Sequence, residues 1–182
     1  MKSEGRRHRK DPGKTGQEDA GGEEIRPVTG ADAPAIAGIF NHYVRRSFAA
    51  FPDRELGIHV VRDLLDQAGA FGCYAVEREG EVIGFGLIRP LSPHPNLIMA
   101  GEVSYFIRPG LTGKGLGTRL LGVLEGRAGE LGMTSLVARV ASRNRRSIRF
   151  HRRNGFSVCG RIRRVGIKFG RPFDAVILQK LL

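Results

Sequence analysis

The sequence predicts one α/β domain, of the α+β kind, with six or seven strands and about four helices. Seven short runs have alternating or β-branched character, two stretches repeat apolar residues every three to four positions, and two further segments read as helices. The length of 182 residues suits a single domain preceded by a tail. Hydrophobic residues at 41% and charged residues at 26% are a globular mixture. No run approaches the roughly 18 apolar residues that a membrane-spanning helix needs, so a membrane protein is not expected.

Residues 1–23 carry only Met1 and Ala20 as apolar side chains besides glycine and proline. That is too little to offset the entropy of ordering, and the segment reads as a disordered charged tail. Within it Gly13-Lys14-Thr15 imitates the end of a phosphate-binding loop. His8 stands where that pattern requires its first glycine, and no strand precedes it. The folded domain is expected over 24–182.

It opens with a strand at Ile25–Pro27 and a helix from Thr29 to about Tyr43, where Asp32 has capping-box spacing and Ile36, Ile39, Phe40, Tyr43 and Val44 share a face. A second helix is expected near Arg54–Gln67. Cys73–Glu77 and Glu81–Arg89, joined at Glu79-Gly80, read as a hairpin. After a proline-rich connection comes a β-rich segment, Gly101–Arg108. A glycine-rich turn, Gly110–Gly117, leads into a helical stripe of Leu116, Leu120, Leu121, Leu124, Ala128 and Leu131. Leu136–Val140 is a further strand. Ser142 and Asn144 offer N-caps for a short arginine-rich helix that Asn154-Gly155 stops. Strands at Ser157–Arg164 and Phe173–Leu181 complete the domain.

Charge narrows the function. The formal excess is +12, and residues 139–182 hold thirteen basic side chains against one acidic. A basic patch attracts a nucleic acid or a phosphate-bearing small molecule equally well, so a non-catalytic nucleic-acid-binding module is one class to weigh. The chain lacks a stacking-aromatic signature for it. Three glycines between a strand and a helix free successive amides for an anion, although the same glycines also suit a plain tight turn. The spacing is not that of a dinucleotide fold. Cys73 and Cys159 are too few for a disulfide framework or a four-ligand zinc site, and His42 and His94 have no ligand companions. No metal is implied, and the thiols fit a reducing cytoplasm.

The segment Glu102–Phe156 resembles the GNAT superfamily of acyl-CoA-dependent N-acetyltransferases. The likeness is carried by Val103–Ile107, by Thr112-Gly113-Lys114-Gly115-Leu116-Gly117, and by Asn144 through Phe156. It is sharper toward the phosphinothricin N-acetyltransferase-like branch, through Ile25-Arg26-Pro27, Phe40–Val44, Glu102 and Gly160–Asp174. Thr112 replaces a usual arginine or glutamine, and Pro172 a usual aromatic.

The resemblance implies a mixed, mostly antiparallel GNAT-like sheet and acetyl-CoA as co-substrate. The acetyl group would pass directly, in a ternary complex, to the amine of a small amino-acid-like acceptor of the phosphinothricin or methionine sulfone type. It implies Glu102 as general base and His151 as proton donor to the departing thiolate. It implies cofactor contacts from Tyr105, Phe106, Ile107, Thr112, Gly113, Lys114, Gly115, Leu116, Gly117, Thr118, Asn144 and Ser147, with the backbone of Phe106 or Ile107 facing the thioester oxygen. Acceptor contacts are implied for Asn41, Tyr43, Phe48, Phe51, Lys168 and Arg171. Related enzymes imply a homodimer; a protein-directed acetyltransferase is the alternative within the same enzyme class.

Overall fold

The computed structural model describes residues 22–94 and 96–182. The charged tail lies outside the described residues, its Gly13-Lys14-Thr15 included, apart from Gly22 and Glu23. Glu23 already belongs to the first strand, β1 (Glu23–Pro27). A 3-10 turn, Gly30–Asp32, precedes α1 (Ala33–Arg46), and the expected capping box is present. The Asp32 carboxylate accepts from the Thr29 amide at 2.7 Å and is forked by Arg26, whose Nη1 and Nη2 donate to it at 2.9 Å. That guanidinium holds the carboxyl down at about 2.

The second helix, α2 (Ile58–Gly69), begins four residues later than expected. Then follow β2 (Cys73–Arg78), β3 (Glu81–Pro90), β4 (Ala100–Ile107), α3 (Leu116–Glu130), β5 (Ser135–Ala141), α4 (Arg145–Arg153), β6 (Ser157–Lys168) and β7 (Arg171–Leu181). One sheet holds all seven strands in the order β1-β2-β3-β4-β5-β7-β6. Every pairing is antiparallel except β4 with β5, which the crossover through α3 makes parallel.

Side-chain alternation assigns the two faces of the sheet. Ile88, Val103, Leu136, Ala138, Val140 and Leu178 pack under α3, against Leu121 and Leu124. Phe85, Leu87 and Phe106 turn the other way, to Ile36, Ile39 and Val61 of α1 and α2. Leu120, Leu121 and Leu124 are essentially inaccessible, each worth about 1.5–3 kcal/mol of burial. α3 lies so close to the sheet that a β-carbon on Gly86 would stand 3.1 Å from Leu120 and Leu124.

β6 runs four residues beyond its expected end. Between Ile162 and Gly166 it bulges, with Arg164 in the left-handed region at φ 50°. Asp174 holds that bulge by accepting from the Arg164 amide and from the Arg161 guanidinium, both at 2.7 Å. The segment Lys168–Arg171 is the turn joining β6 to β7, with Phe169 and Gly170 both at positive φ. Cys73 is buried as expected for a small core residue, but Cys159 is exposed, because β6 is an edge strand.

Candidate active site

The site begins where the sheet comes apart. β4 and β5 pair only over Ala100–Glu102 against Ser135–Val137. Beyond that point β4 stays with β3 and β5 with β7, so the two halves diverge around an open gap. Backbone alternation shows which groups face it. Arg108 N–H donates to Ile83 O, and Ala100 O accepts from Leu91 N–H, so even-numbered residues of β4 turn their backbone toward β3. Val103, Tyr105 and Ile107 therefore present theirs to the gap. Of the two backbone candidates for a thioester oxygen, the Ile107 amide faces the gap and the Phe106 amide faces β3. Phe106 contributes its ring, which packs against Phe40, Tyr43 and Phe85. The Tyr43 hydroxyl donates to Ile107 O at 2.5 Å, anchoring α1 to the gap's wall.

Above the gap lies the glycine loop. Gly110, Gly113 and Gly115 have φ of 87°, 88° and 85°, conformations that side chains rarely adopt. A β-carbon on Gly115 would meet nothing within 4 Å, so the loop is open to an approaching group. Lys114 and Thr118 are exposed, Thr112 is half-buried, and Leu116 is buried in the core with Ile107 and Leu120. Here the backbone at the start of α3, not the side chains, offers an anion site.

Glu102 stands at the point where the strands part, on the α1 side of the sheet, and is only 7% exposed. Arg139 of β5 grips it through two bonds, Nε to Oε1 at 2.6 Å and Nη2 to Oε2 at 2.7 Å. Arg89, its cross-strand neighbour on β3, adds a second guanidinium at 3.6 Å. The Arg89 Nε is buried without a hydrogen-bond partner. Two cations thus surround one carboxylate, leaving a local positive surplus on the face toward α1.

On the opposite face, half-buried Tyr105 and buried His151 form a pair, with Tyr105 Oη 2.5 Å from His151 Nε2. Nδ1 of the ring lies 2.8 Å from Ser147 O, a carbonyl that can only accept. The proton is therefore on Nδ1, Nε2 accepts, and the tyrosine donates. Burial pushes the imidazole below its ordinary range and the Tyr105 hydroxyl well above its own. His151 is 3% exposed, buried by the rings of Tyr105, Phe150 and Phe156, although arginines flank it in sequence. Asn144 caps α4, its Oδ1 accepting from Ser147 N–H at 3.2 Å.

The residues expected at the acceptor split into two groups. Asn41 is buried with its amide committed: Nδ2 donates to Leu56 O and Oδ1 accepts from Leu56 N–H, both at 2.9 Å. It secures the loop between α1 and α2, which gives the side chain a structural task. Phe48 and Phe51, on that loop, pack against Phe173, with Phe169 and Arg143 closing on Phe48. Lys168 is buried beside them and donates to Ala50 O at 2.6 Å. Loss of water lowers the tendency of its amine to hold a proton. Arg171 is exposed at the neighbouring turn. Among the described residues no group of His, Cys, Asp or Glu could hold a metal ion, and no helix is long and apolar enough to cross a membrane.

Sequence reasoning missed Arg89, Arg139 and Phe173. Arg139 had one available signal, a charged residue inside an otherwise apolar strand.

Comparison with known proteins shows what the chain as a whole resembles. Residues 36–156 match the model of the acetyltransferase (GNAT) family. A methionine sulfoximine/methionine sulfone acetyltransferase of Pseudomonas aeruginosa is 33% identical, over 85% of this chain and 92% of that protein. A phosphinothricin N-acetyltransferase of Alcaligenes faecalis is 32% identical, over 87% and 82%. An acetyltransferase of Salmonella typhimurium, solved with acetyl-CoA, superimposes with a TM-score of 0.83 at 31% identity, covering 88% of this chain and 94% of that one.

Proposed function

The chain belongs to the acetyltransferase (GNAT) family, and on that premise we propose that it moves the acetyl group of acetyl-CoA directly to the amine of an amino-acid-like acceptor. One observation carries this reading: the sheet parts beside a buried carboxylate, Glu102, beneath a loop of free amides. The amides of Gly113, Gly115 and Gly117 suit the diphosphate, and the backbone N–H groups of Tyr105 and Ile107 that face the gap suit the extended arm and the thioester oxygen. In this reading Asn144, Ser147 and Lys114 add contacts to the cofactor. Bound acetyl-CoA supplies an activated acyl group; the protein's part is to position it and manage protons.

An ammonium must lose its proton before it can attack. In the proposed mechanism Glu102 takes that proton, directly or through water, and Arg139 fixes the carboxylate's orientation. His151 keeps its one ring proton on Nδ1, bonded to Ser147 O, while Nε2 accepts from Tyr105. We assign it to orienting Tyr105; donation to the thiolate would first require a second proton on the ring. The positive surplus of Arg89 and Arg139 favours an acceptor carrying its own anionic group. The aromatic shelf of Phe48, Phe51 and Phe173, with Lys168, suits its side chain. The relatives named for methionine sulfone and phosphinothricin support that substrate class.

A homodimer is proposed on the exposed Val158, Ile162, Val165, Ile167 and Phe169 of edge strand β6 and its turn; equilibrium sedimentation tests it. The unpaired thiols support a reducing cytoplasm. The function itself is tested by thiol release from acetyl-CoA in the presence of methionine sulfone, phosphinothricin and other amino-acid analogues. Acceptor-dependent release is expected, and none across the panel would overturn the proposal.

A further inference from the structure

None of the five arginines of α4 has a part in the site so far, and one of them reaches it. Arg146 stands in the first turn of that helix, following β5, so it belongs to the half of the sheet across the gap from the glycine loop. Its guanidinium nevertheless reaches the loop. Nη2 lies 3.3 Å from where a β-carbon on Gly113 would stand. The same charge acts on the Tyr43 hydroxyl, which is bonded to Ile107 O on the gap's far wall.

Nearby guanidiniums are committed: Arg139 to Glu102, Arg143 to Pro172 O, and Arg161 to Asp174. Among the described residues Arg146 has no carboxylate or carbonyl partner. Arg146 is exposed and Gly113 lies beside it, so its guanidinium and the positive ends of the loop amides form one cationic cleft that suits an anion.

We propose that Arg146 is a phosphate clamp, closing from the β5–α4 side over a diphosphate seated on the amides of 113–117. Both halves of the split sheet then hold one anion, and binding fixes the width of the gap in which the thioester lies. A planar guanidinium can donate two parallel bonds to phosphate oxygens, which an ammonium at the same place cannot. The inference rests on the acetyl-CoA reading above.

Calorimetric titration with CoA, dephospho-CoA and pantetheine separates the possibilities. Arg146→Ala is expected to weaken CoA and dephospho-CoA alike, by roughly 10- to 100-fold, the usual worth of hydrogen bonds to a charged group. Pantetheine, which has no diphosphate, should bind the variant as it binds the unaltered protein. Arg146→Lys should recover part of the loss, and Arg145→Ala should cost nothing. CoA binding by Arg146→Ala within twofold of the unaltered protein overturns the clamp. So does an equal loss for pantetheine, which would mean a structural role. A loss for CoA without one for dephospho-CoA also overturns it, moving the contact to the 3′-phosphate. If the unaltered protein binds no CoA, the acetyl-CoA reading itself falls.

Discussion

Glu102→Gln separates a base from a strut. The substitution keeps the size of the side chain and removes its charge, so Arg139 loses a bidentate partner and Arg89 a neighbour at 3.6 Å. Hydrogen bonds to a charged group are worth about 1.5–3 kcal/mol. The Arg139 and Arg89 side chains are 49% and 37% exposed and can rehydrate, so the loss should lie near about 1–2 kcal/mol. For a domain of this size that is a fall of about 2–8 °C in Tm. It is a minor part of the roughly 5–15 kcal/mol of a typical fold, so the variant stays folded at assay temperature. The proposed base predicts a much larger effect on rate: kcat lower by about 10²–10⁴, with acetyl-CoA affinity unchanged. The deficit should narrow as pH rises toward the acceptor amine's own pKa, where free amine no longer has to be generated by the enzyme. Steady-state kinetics from pH 6 to 9, beside thermal melts, measure both. A variant that melts early yet keeps kcat within a few-fold at neutral pH would refute the base and leave Glu102 as the strut of an ion pair.

Other expectations follow from the same geometry. Asn41→Ala strands the Leu56 backbone and should cost about 2 kcal/mol; it should raise the acceptor KM by loosening the Phe48–Phe51 loop while calorimetric CoA affinity stays put. Burial holds the folded His151 pKa below its unfolded value of about 6.5, so the unfolded chain takes up a proton that the folded ring refuses. Stability is therefore full above about 6.5 and is lost as pH falls through the folded value; urea melts at descending pH should show this loss, and His151→Gln should remove it. An unchanged acid slope in that variant would count against a buried neutral imidazole. Gly113→Ala forces a side chain onto φ 88°, at about 1–2 kcal/mol, and places a methyl against Arg146; calorimetry should register weaker CoA binding.

What the sequence made legible was whatever is local and periodic. The leucine stripe from Leu116 declares α3, and the Cys73–Arg89 alternation declares the hairpin. The arginine-rich stretch 161–164 hid the true length of β6, since an exposed edge strand needs no apolar alternation and its bulge is held by Asp174, ten residues away. The start of α2 was misplaced because Asp53 and Arg54 suit a helix start as well as Gly57, the actual N-cap, does. In the site, Glu102 and the glycine loop were visible as residue types at a spacing. Arg139, which grips Glu102 from 37 positions away, was not. The gap itself is an end of strand pairing, and no residue announces that. His151 stood out by position, but its tautomer and its tie to Tyr105 required the packing of α4 on β4.

Carbon-13 in the carbonyl of acetyl-CoA follows the acetyl group itself. With methionine sulfone present, NMR should show the thioester signal giving way to an amide on the acceptor, with no label on the intact protein. Label appearing as free acetate, attached to the protein, or still in the thioester after prolonged incubation would contradict direct transfer across the β4–β5 gap.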